Sequence, residues 1–384
     1  MSTTASRNLA RAARRIDALA ADRLPTQRLI EGVADELHAA MPIDALVLAA
    51  TDPDTLLGLG AGVVRGMPAS VCAPFWEYEF EVPDFNKFTD LARSQRQAAD
   101  LHAATGGRPE RSARWRELRT LMDADAELRA TFNAGGRGWG LLHLNRAGTA
   151  SGFTGEEVAF VETIAPIVGR ALRCSLVSHP ARSAAGRGPG MAIVDGDNRL
   201  ASATPDALAW FDDIESVFPL PDPGLGREVP SEVMVAAQET RARAGAGPAA
   251  TATHTRARTG SGVWLLIHAS CLQHADGSVA GVAVVIEPAK ASEVAPLIVD
   301  AYELTPREVD VTRALARGLT TNEIAGELHL SRYTVQDHLK SVYEKAGVSS
   351  RGELVAKMFA DHYHDGLADA MHAAANAPAL AVAA

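Results

Sequence analysis

The segment SRYTVQDHLKSVYEKA, residues 331–346, carries the side chains whose types and spacing best suit chemistry. At about 100° per residue, Val335, Leu339, Val342 and Ala346 form a narrow apolar stripe along one helix. Tyr333, Gln336, Asp337, Lys340 and Glu344 project from the opposite side. Such a polar, partly basic face suits the major groove of double-stranded DNA. There an amide reads adenine, an ammonium reads guanine and a carboxylate accepts from cytosine N4. Gln336, Asp337 and Lys340 are the expected base readers. Arg332, Tyr333 and Thr334 lie nearer the helix start, where free N–H groups and the helix dipole favour a phosphate.

That helix needs a rigid frame, and the flanking sequence carries the signals for one. Thr305 stands before Pro306 and three residues ahead of Glu308, a capping box with proline at the first helical position. Val309, Thr312, Leu315 and Ala316 are the expected buried face of this first helix, which Gly318 ends. Thr320 and Glu323 repeat the box for a second helix, with Ile324, Ala325 and Leu328 inward. His329 and Leu330 make a short turn, and Ser331 caps the third helix. Ser349, Ser350 and Arg351 open a fourth, running through Glu353, Leu354, Val355 and Met358. Thr305, Thr320 and Ser331 are caps first in this reading. His338 is a packing or phosphate-contacting residue rather than a ligand or catalyst.

Residues 304–363 resemble the LuxR/NarL-type helix-turn-helix domain of transcription regulators along their whole length. The shared positions are Leu304 to Glu308, Gly318-Leu319, Asn322 to Ala325, Leu328, Leu330-Ser331, Thr334-Val335, His338-Leu339, Lys345 and Ser350-Arg351. The resemblance implies an all-α four-helix domain whose recognition helix starts at Ser331, with Thr320 and Ser331 joining the DNA-contacting set. It also implies dimer contact through Leu354, Val355 and Met358, and a two-fold repeated DNA site. Two positions depart from the pattern: Ala346, where a bulkier apolar residue is usual, and Asp337 on the base-facing surface. RNA polymerase is a candidate partner of such a domain.

Upstream, the chain reads as α+β. Residues 8–23 and 26–40 have helical periodicity, the second with Thr26 as its expected N-cap. Ile43–Ala50 and Leu56–Val64 read as a hairpin across Thr51-Asp52-Pro53-Asp54, and residues 84–121 as mixed, mostly helical sequence. Arg108, Arg111, Arg114, Arg116 and Arg119 cluster there around Trp115. They read as a solvated helix face, with an anionic-ligand or nucleic-acid site as the alternative. Glu127–Thr131 and Gly138–Asn145 pair as strands. Thr154 and Glu157 then box the start of a long helix through Pro166, where a kink is expected. Met191–Val194, a turn at Asp195–Asn198, a helix from Pro205 and strands at 252–259, 263–271 and 279–286 form a second sheet.

Gly138 to Leu144, followed by Phe153 to Glu157, resembles a GAF domain. Gly190 to Asp195 with the last three strands resembles a PAS domain, although Thr204-Pro205 and an irregular insert at Arg241–Ala250 depart from it. The expected architecture is multidomain: α+β sensor domains, GAF-like then PAS-like, followed by the helix-turn-helix domain. Its boundaries are 1–177 (GAF-like with an N-terminal helix), 178–190 (linker), 191–290 (PAS-like), 291–303 (linker), 304–363 (reader) and 364–384 (flexible tail). Trp139 and His143 share a strand face; His143 reads first as a satisfied strand histidine, with the pair lining a ligand pocket as the alternative. A small-molecule or protein signal is the expected input, and no residue pattern names a cofactor.

Net charge at pH 7 is −10, and it is unevenly spread. Residues 305–363 hold eight Lys/Arg against eight Asp/Glu, whereas residues 1–304 hold 29 against 37. A neutral reader on an acidic body should grip non-specific DNA weakly, so a homodimer is expected on the operator. Cys72, Cys174 and Cys271 lack metal-ligand spacing and read as reduced cytoplasmic thiols, with a redox sensor as the alternative. The first 15 residues do not read as a secretory signal, no run reaches the roughly 18 apolar residues of a membrane span, and a cytoplasmic location is expected.

Competing classes find less support. Gly58-Leu59-Gly60-Ala61-Gly62 lacks the third glycine of a dinucleotide fingerprint, and no phosphate-binding GxxxxGK[ST], GxSxG or HExxH sequence occurs. The chain is therefore expected not to be an enzyme, with catalysis in residues 26–290 as an alternative. Asp52 and Asp54 follow a strand, yet the acidic pair and lysine of a phosphorylated receiver are missing. Trp76 and Tyr78 do not by themselves reproduce an acyl-homoserine-lactone sensor. The Asp361–Asp365 cluster reads as a helix end rather than a metal site. A partner-binding regulator with weak or no DNA binding is the remaining alternative.

Overall fold

The computed structural model describes residues 3–148, 151–177, 187–214, 216, 219–222, 227–246 and 252–355. The chain divides into two compact units, one built from the residues before 180 together with 188–288, the other chiefly from residue 289 onward.

In the first unit, helices α1 (Thr3–Ala21) and α2 (Thr26–Ala40) lead into a five-stranded antiparallel sheet of order β2-β1-β5-β4-β3. Its strands are β1 (Ala45–Thr51), β2 (Gly58–Arg65), β3 (Ala98–Asp100), β4 (Ala126–Ala134) and β5 (Arg137–Arg146). Thr26 is buried inside its helix and makes no cap bond, because Pro25 occupies the cap position. Four short helices lie between β2 and β4: α3 (Cys72–Phe80), α4 (Phe88–Arg93), α5 (Leu101–Thr105) and α6 (Ala113–Met122). Helix α7 (Gly155–Val177) starts with the Thr154/Glu157 exchange of bonds and runs unbroken through Pro166. It packs on β4 so closely that a Cβ on Gly169 would stand 2.7 Å from the Asn133 carbonyl oxygen.

The second sheet has order β10-β11-β12-β6-β7, from β6 (Gly190–Val194), β7 (Leu200–Ala203), β10 (Ala252–Arg258), β11 (Trp264–Gln273) and β12 (Val279–Pro288). Counted along the chain, each sheet runs second, first, fifth, fourth, third strand. Helix α8 (Pro205–Asp213) is capped by Thr204, and β8 (Pro219–Asp222) pairs with β9 (Arg227–Pro230). Helix α9 (Ser231–Ala246) follows, so Arg241–Ala246, expected to be irregular, is helical; residues 247–250 lie outside the described set.

Every residue of α9 from Ser231 to Thr240 is buried. The helix touches α3 and β2 on one side and β10, β11 and β12 on the other. Over that stretch the sandwiched helix has no solvent face and therefore no amphipathic signature. Arg256 of β10 ties the two sheets further, pairing with Asp52 at 3.4 Å and Asp54 at 2.6 Å, while Thr255 and Thr55 share a 3.1 Å hydroxyl contact.

Of the five arginines around Trp115, Arg108, Arg111, Arg116 and Arg119 are exposed, as a solvated face requires, and Arg114 is the exception. Arg114 is completely buried and bonds Glu127 at 2.6 and 3.1 Å, while Arg129, also buried, bonds Glu79 at 2.7 Å. Burial works to raise the Glu127 pKa, yet the guanidiniums of Arg114 and Arg129 hold it well below the usual carboxylate range. Arg119 instead lies over the Trp115 ring at 4.5 Å and Arg111 over Phe85 at 5.2 Å.

The second unit is helical: α10 (Ala291–Ala301), α11 (Pro306–Ala316), α12 (Thr321–Glu327), α13 (Arg332–Ala346) and α14 (Arg351–Val355). Helix α10 occupies the stretch expected as a linker. The expected tail, and the Asp361–Asp365 cluster with it, lie outside the described residues. Among the described residues no helix is long and apolar enough to cross a membrane.

Candidate nucleic-acid interface

Three consecutive side-chain caps set the frame of α11, α12 and α13. Thr305 accepts from Glu308 N and Thr320 from Glu323 N, each with the return bond of a capping box. Ser331 accepts from Thr334 N at 3.1 Å. Each cap satisfies N–H groups that no helical carbonyl can reach. Between α12 and α13 the chain reverses through His329, whose φ of 53° lies in the left-handed region. The Leu330 N–H donates to the Ala325 carbonyl at 2.9 Å and closes the turn.

Val335, Leu339, Val342 and Ala346 of α13 are all buried, with Val311, Ala314, Leu315, Ile324 and Leu354. On α11 the buried face is centred on Val311 and Leu315; Val309 is half-buried, as are Ala325 and Leu328 of α12. Two bonds lock α13 onto the start of α11. Ser341 Oγ donates to Glu308 Oε1 and Lys345 Nζ donates to Glu308 Oε2, both at 2.6 Å. Burial alone would raise the Glu308 pKa, but these bonds and those of Thr305 bring it down to about 2. Arg351 donates to the Leu315 and Leu319 carbonyls at 2.9 Å, satisfying the open end of α11. The positioning roles of Lys345, Ser341 and Arg351 were missed in the sequence, where their partners lie more than 30 positions away.

With the frame fixed, α13 presents Arg332, Tyr333, Gln336, Asp337, Lys340 and Glu344 to solvent. Tyr333 is 79% exposed, more than any other large hydrophobic side chain among the described residues. Of the other cations in this unit, Arg307 pairs with Asp310, Arg317 with Glu327 and Lys345 with Glu308, while Arg313 of α11 is also exposed and in no ion pair among the described residues. Arg332 and Lys340 have no ion-pair partner among the described residues, so their charge faces solvent. Thr320 is exposed but spends its hydroxyl on Glu323, and Thr334, half-buried, shares a 2.8 Å contact with Ser331. Leu354 is fully buried within this unit and offers no surface for contact between copies, contrary to expectation. The Val355 side chain and Met358 lie outside the described residues.

The other candidate pair separates. Trp139 is buried and donates its indole N–H to the Ala134 carbonyl at 3.0 Å. His143, on the same strand, lines a cavity with Cys72, Phe75, Trp76, Leu141, Ser231 and Glu232, and Trp139 is not part of that lining. All three cysteines are free, and burial pushes the Cys72 thiol up to about 12.

Residues 302–358 match the family described as bacterial regulatory proteins, luxR family. The spore germination protein GerE of Bacillus subtilis is 40% identical over 55 residues, which are 14% of this chain and 74% of GerE. This chain belongs to the luxR family. The transcriptional regulatory protein UhpA of Escherichia coli is 48% identical over 56 residues, 15% of this chain and 29% of UhpA. A Mycobacterium bovis protein named as an HTH-type transcriptional regulator is 50% identical over 52 residues; the match spans only 6% of its length and 14% of this chain.

Among solved structures, the GAF domain of a phosphoenolpyruvate-protein phosphotransferase from Coxiella burnetii aligns with 44% of this chain and 95% of its own, at 17% identity and a TM-score of 0.33. The Vibrio cholerae VqmA–ligand–DNA complex aligns with 46% and 84%, at 16% identity and a TM-score of 0.21. Likenesses this distant assign no fold.

Proposed function

We propose that the chain is a sequence-specific DNA-binding transcription regulator whose helical unit reads operators under the control of a signal received upstream. The observation that carries this reading is the exposed face of α13. Arg332 and Lys340 stand there without ion-pair partners beside Gln336 and Tyr333, on a helix locked by Ser331, Glu308 and four buried apolar residues. Unpaired cations and amides on a pre-set helix after a tight turn match the donor pattern of base edges and phosphates. In this reading Gln336, Asp337 and Lys340 contact bases. Arg332, Tyr333 and Thr334, with Thr320 and Ser331, hold the phosphates. A dimer doubles the few phosphate contacts that so neutral a reader can make.

The upstream residues act as non-catalytic sensors, GAF-like through residue 177 and PAS-like over 191–290. Two five-stranded antiparallel sheets of identical strand order support that division. Selection of bound fragments from random DNA, followed by gel shift, tests the proposal. A recurring two-fold motif, bound at least about a thousandfold more tightly than unrelated DNA, is expected. Recovery of no motif, with equal retardation of all sequences, overturns it.

A further inference from the structure

His143 is completely buried, and neither of its ring nitrogens makes a well-formed hydrogen bond, the Asn145 side chain giving only a weak one. Burial lowers its pKa to about 3, with the Arg129 and Arg114 charges pushing the same way against Glu127. At neutral pH the ring is therefore uncharged and offers one N–H donor and one bare nitrogen. A poorly matched donor and acceptor in a buried site is unfavourable, and here both belong to a side chain that borders a cavity.

That space lies between two layers. Val47, Ala49, Leu141 and His143 of the first sheet form its floor, Phe75 and Trp76 of α3 one wall, and Ser231, Glu232 and Val235 of α9 the other. It leaves 60 Å³ for the centre of a water-sized sphere, within 640 Å³ of space between atoms that includes its open mouth. By the first measure a water needs roughly 10–15 Å³, and an engineered cavity of about 150 Å³ admits benzene. The enclosed part thus holds more than one water but less than a full ring, and a ring seated here extends into the mouth.

The surroundings select against negative charge. Glu232, 2% exposed, brings a carboxylate to the rim, held by Ser216 at 2.8 Å. The Cys72 thiol, pushed up by burial and then by Glu232, stays protonated. Behind the lining the Arg129 guanidinium, paired with Glu79, lies 4.6 Å over the Phe75 ring, and that ring stands edge-on to His143 at 5.1 Å. What the mostly apolar lining suits is an apolar, flat and neutral occupant with one polar edge.

We propose that this cavity binds a small, uncharged, single-ring aromatic compound whose polar edge hydrogen-bonds His143, and that α9 closes over it. The inference rests on the sensing part of the function proposed above. Occupancy bears on Val235 and Glu232, so α9, packed on both sheets, registers the ligand directly.

Calorimetry on the full chain near pH 7, with phenol, toluene and benzoate as probes, tests this without DNA. Phenol should bind with a dissociation constant below about 1 mM, and benzoate at least about tenfold more weakly. His143→Phe should remove the preference for phenol over toluene while leaving toluene binding. Val235→Trp, which fills the space from α9, should abolish both. No heat from phenol at about 10 mM overturns the proposal. So does benzoate binding as tightly as phenol, or a phenol preference that survives His143→Phe. If that variant does not fold, the phenol–benzoate comparison and Val235→Trp decide. A failed DNA selection with phenol bound refutes the reader alone, and the converse result refutes the cavity alone.

Discussion

The side chains of α13 divide by where they sit on the helix. Lys340→Ala and Gln336→Ala should each weaken the best DNA site by about 1–3 kcal/mol and relax base preference there. Arg332→Ala should weaken all sequences alike and reduce the salt dependence by about one unit of slope. Competition gel shifts over a salt series separate these outcomes. Asp337→Ala lowers specific affinity if the carboxylate reads cytosine and raises all DNA binding if it only repels phosphate. A second prediction concerns the buried charges of the first unit. Glu127→Gln removes the carboxylate that bonds Arg114 most closely, leaving Asp84 at 3.5 Å for Arg114 and Glu79 at 2.7 Å for Arg129, and should cost about 3 kcal/mol in urea unfolding. The α13 face was legible in the sequence because helical spacing alone sorts polar from apolar positions. Arg114 was not. Its burial depends on Glu127 across 13 positions and on Asp84 across 30, which no local pattern reports.

At the scale of elements, helices whose ends carry their own signals were readable and the others were not. The boxes at Thr305/Glu308 and Thr320/Glu323 and the Ser331 cap use bonds spanning three residues. Helix α9 has no such marker, and its buried stretch from Ser231 to Thr240 exists only because two sheets flank it. His143 reads in the sequence first as a satisfied strand histidine and only secondarily as lining a pocket, and Ser231 and Glu232 could not be placed there without that helix. Glu308 adds a pH-dependent contribution to the fastening of α11 on α13. Its pKa falls from 4.5 to about 2 on folding, so the stabilisation is complete above pH 4.5 and is lost as pH falls through about 2. A shift of that size corresponds to at most about 3 kcal/mol. The stability difference between the wild type and Glu308→Gln, followed by helical circular dichroism, should shrink over that interval; a constant difference would show that the carboxylate charge is irrelevant.

For the molecule as a whole, charge and symmetry set the expected behaviour on DNA. The net charge of −10 opposes loose association with any duplex, so occupancy should depend on two readers engaging together. Footprinting should show two half-sites with centres about 10 bp apart or a multiple of that, and binding should rise more steeply than the first power of protein concentration. Protection of one half-site with linear dependence would count against a dimer.

The burial of α9 also limits how genes for such proteins can be recombined. Residues 178–190 look like the natural joint for swapping one input for another, yet a cut there leaves α3 and β2 without the helix that covers them. A graft of residues 1–177 onto a foreign DNA reader should aggregate on expression, whereas a graft of residues 1–288 should stay in solution, as size-exclusion chromatography would show. The two sheets would then be inherited as a pair, and new inputs would arise by reshaping the seam between them rather than by exchanging either half.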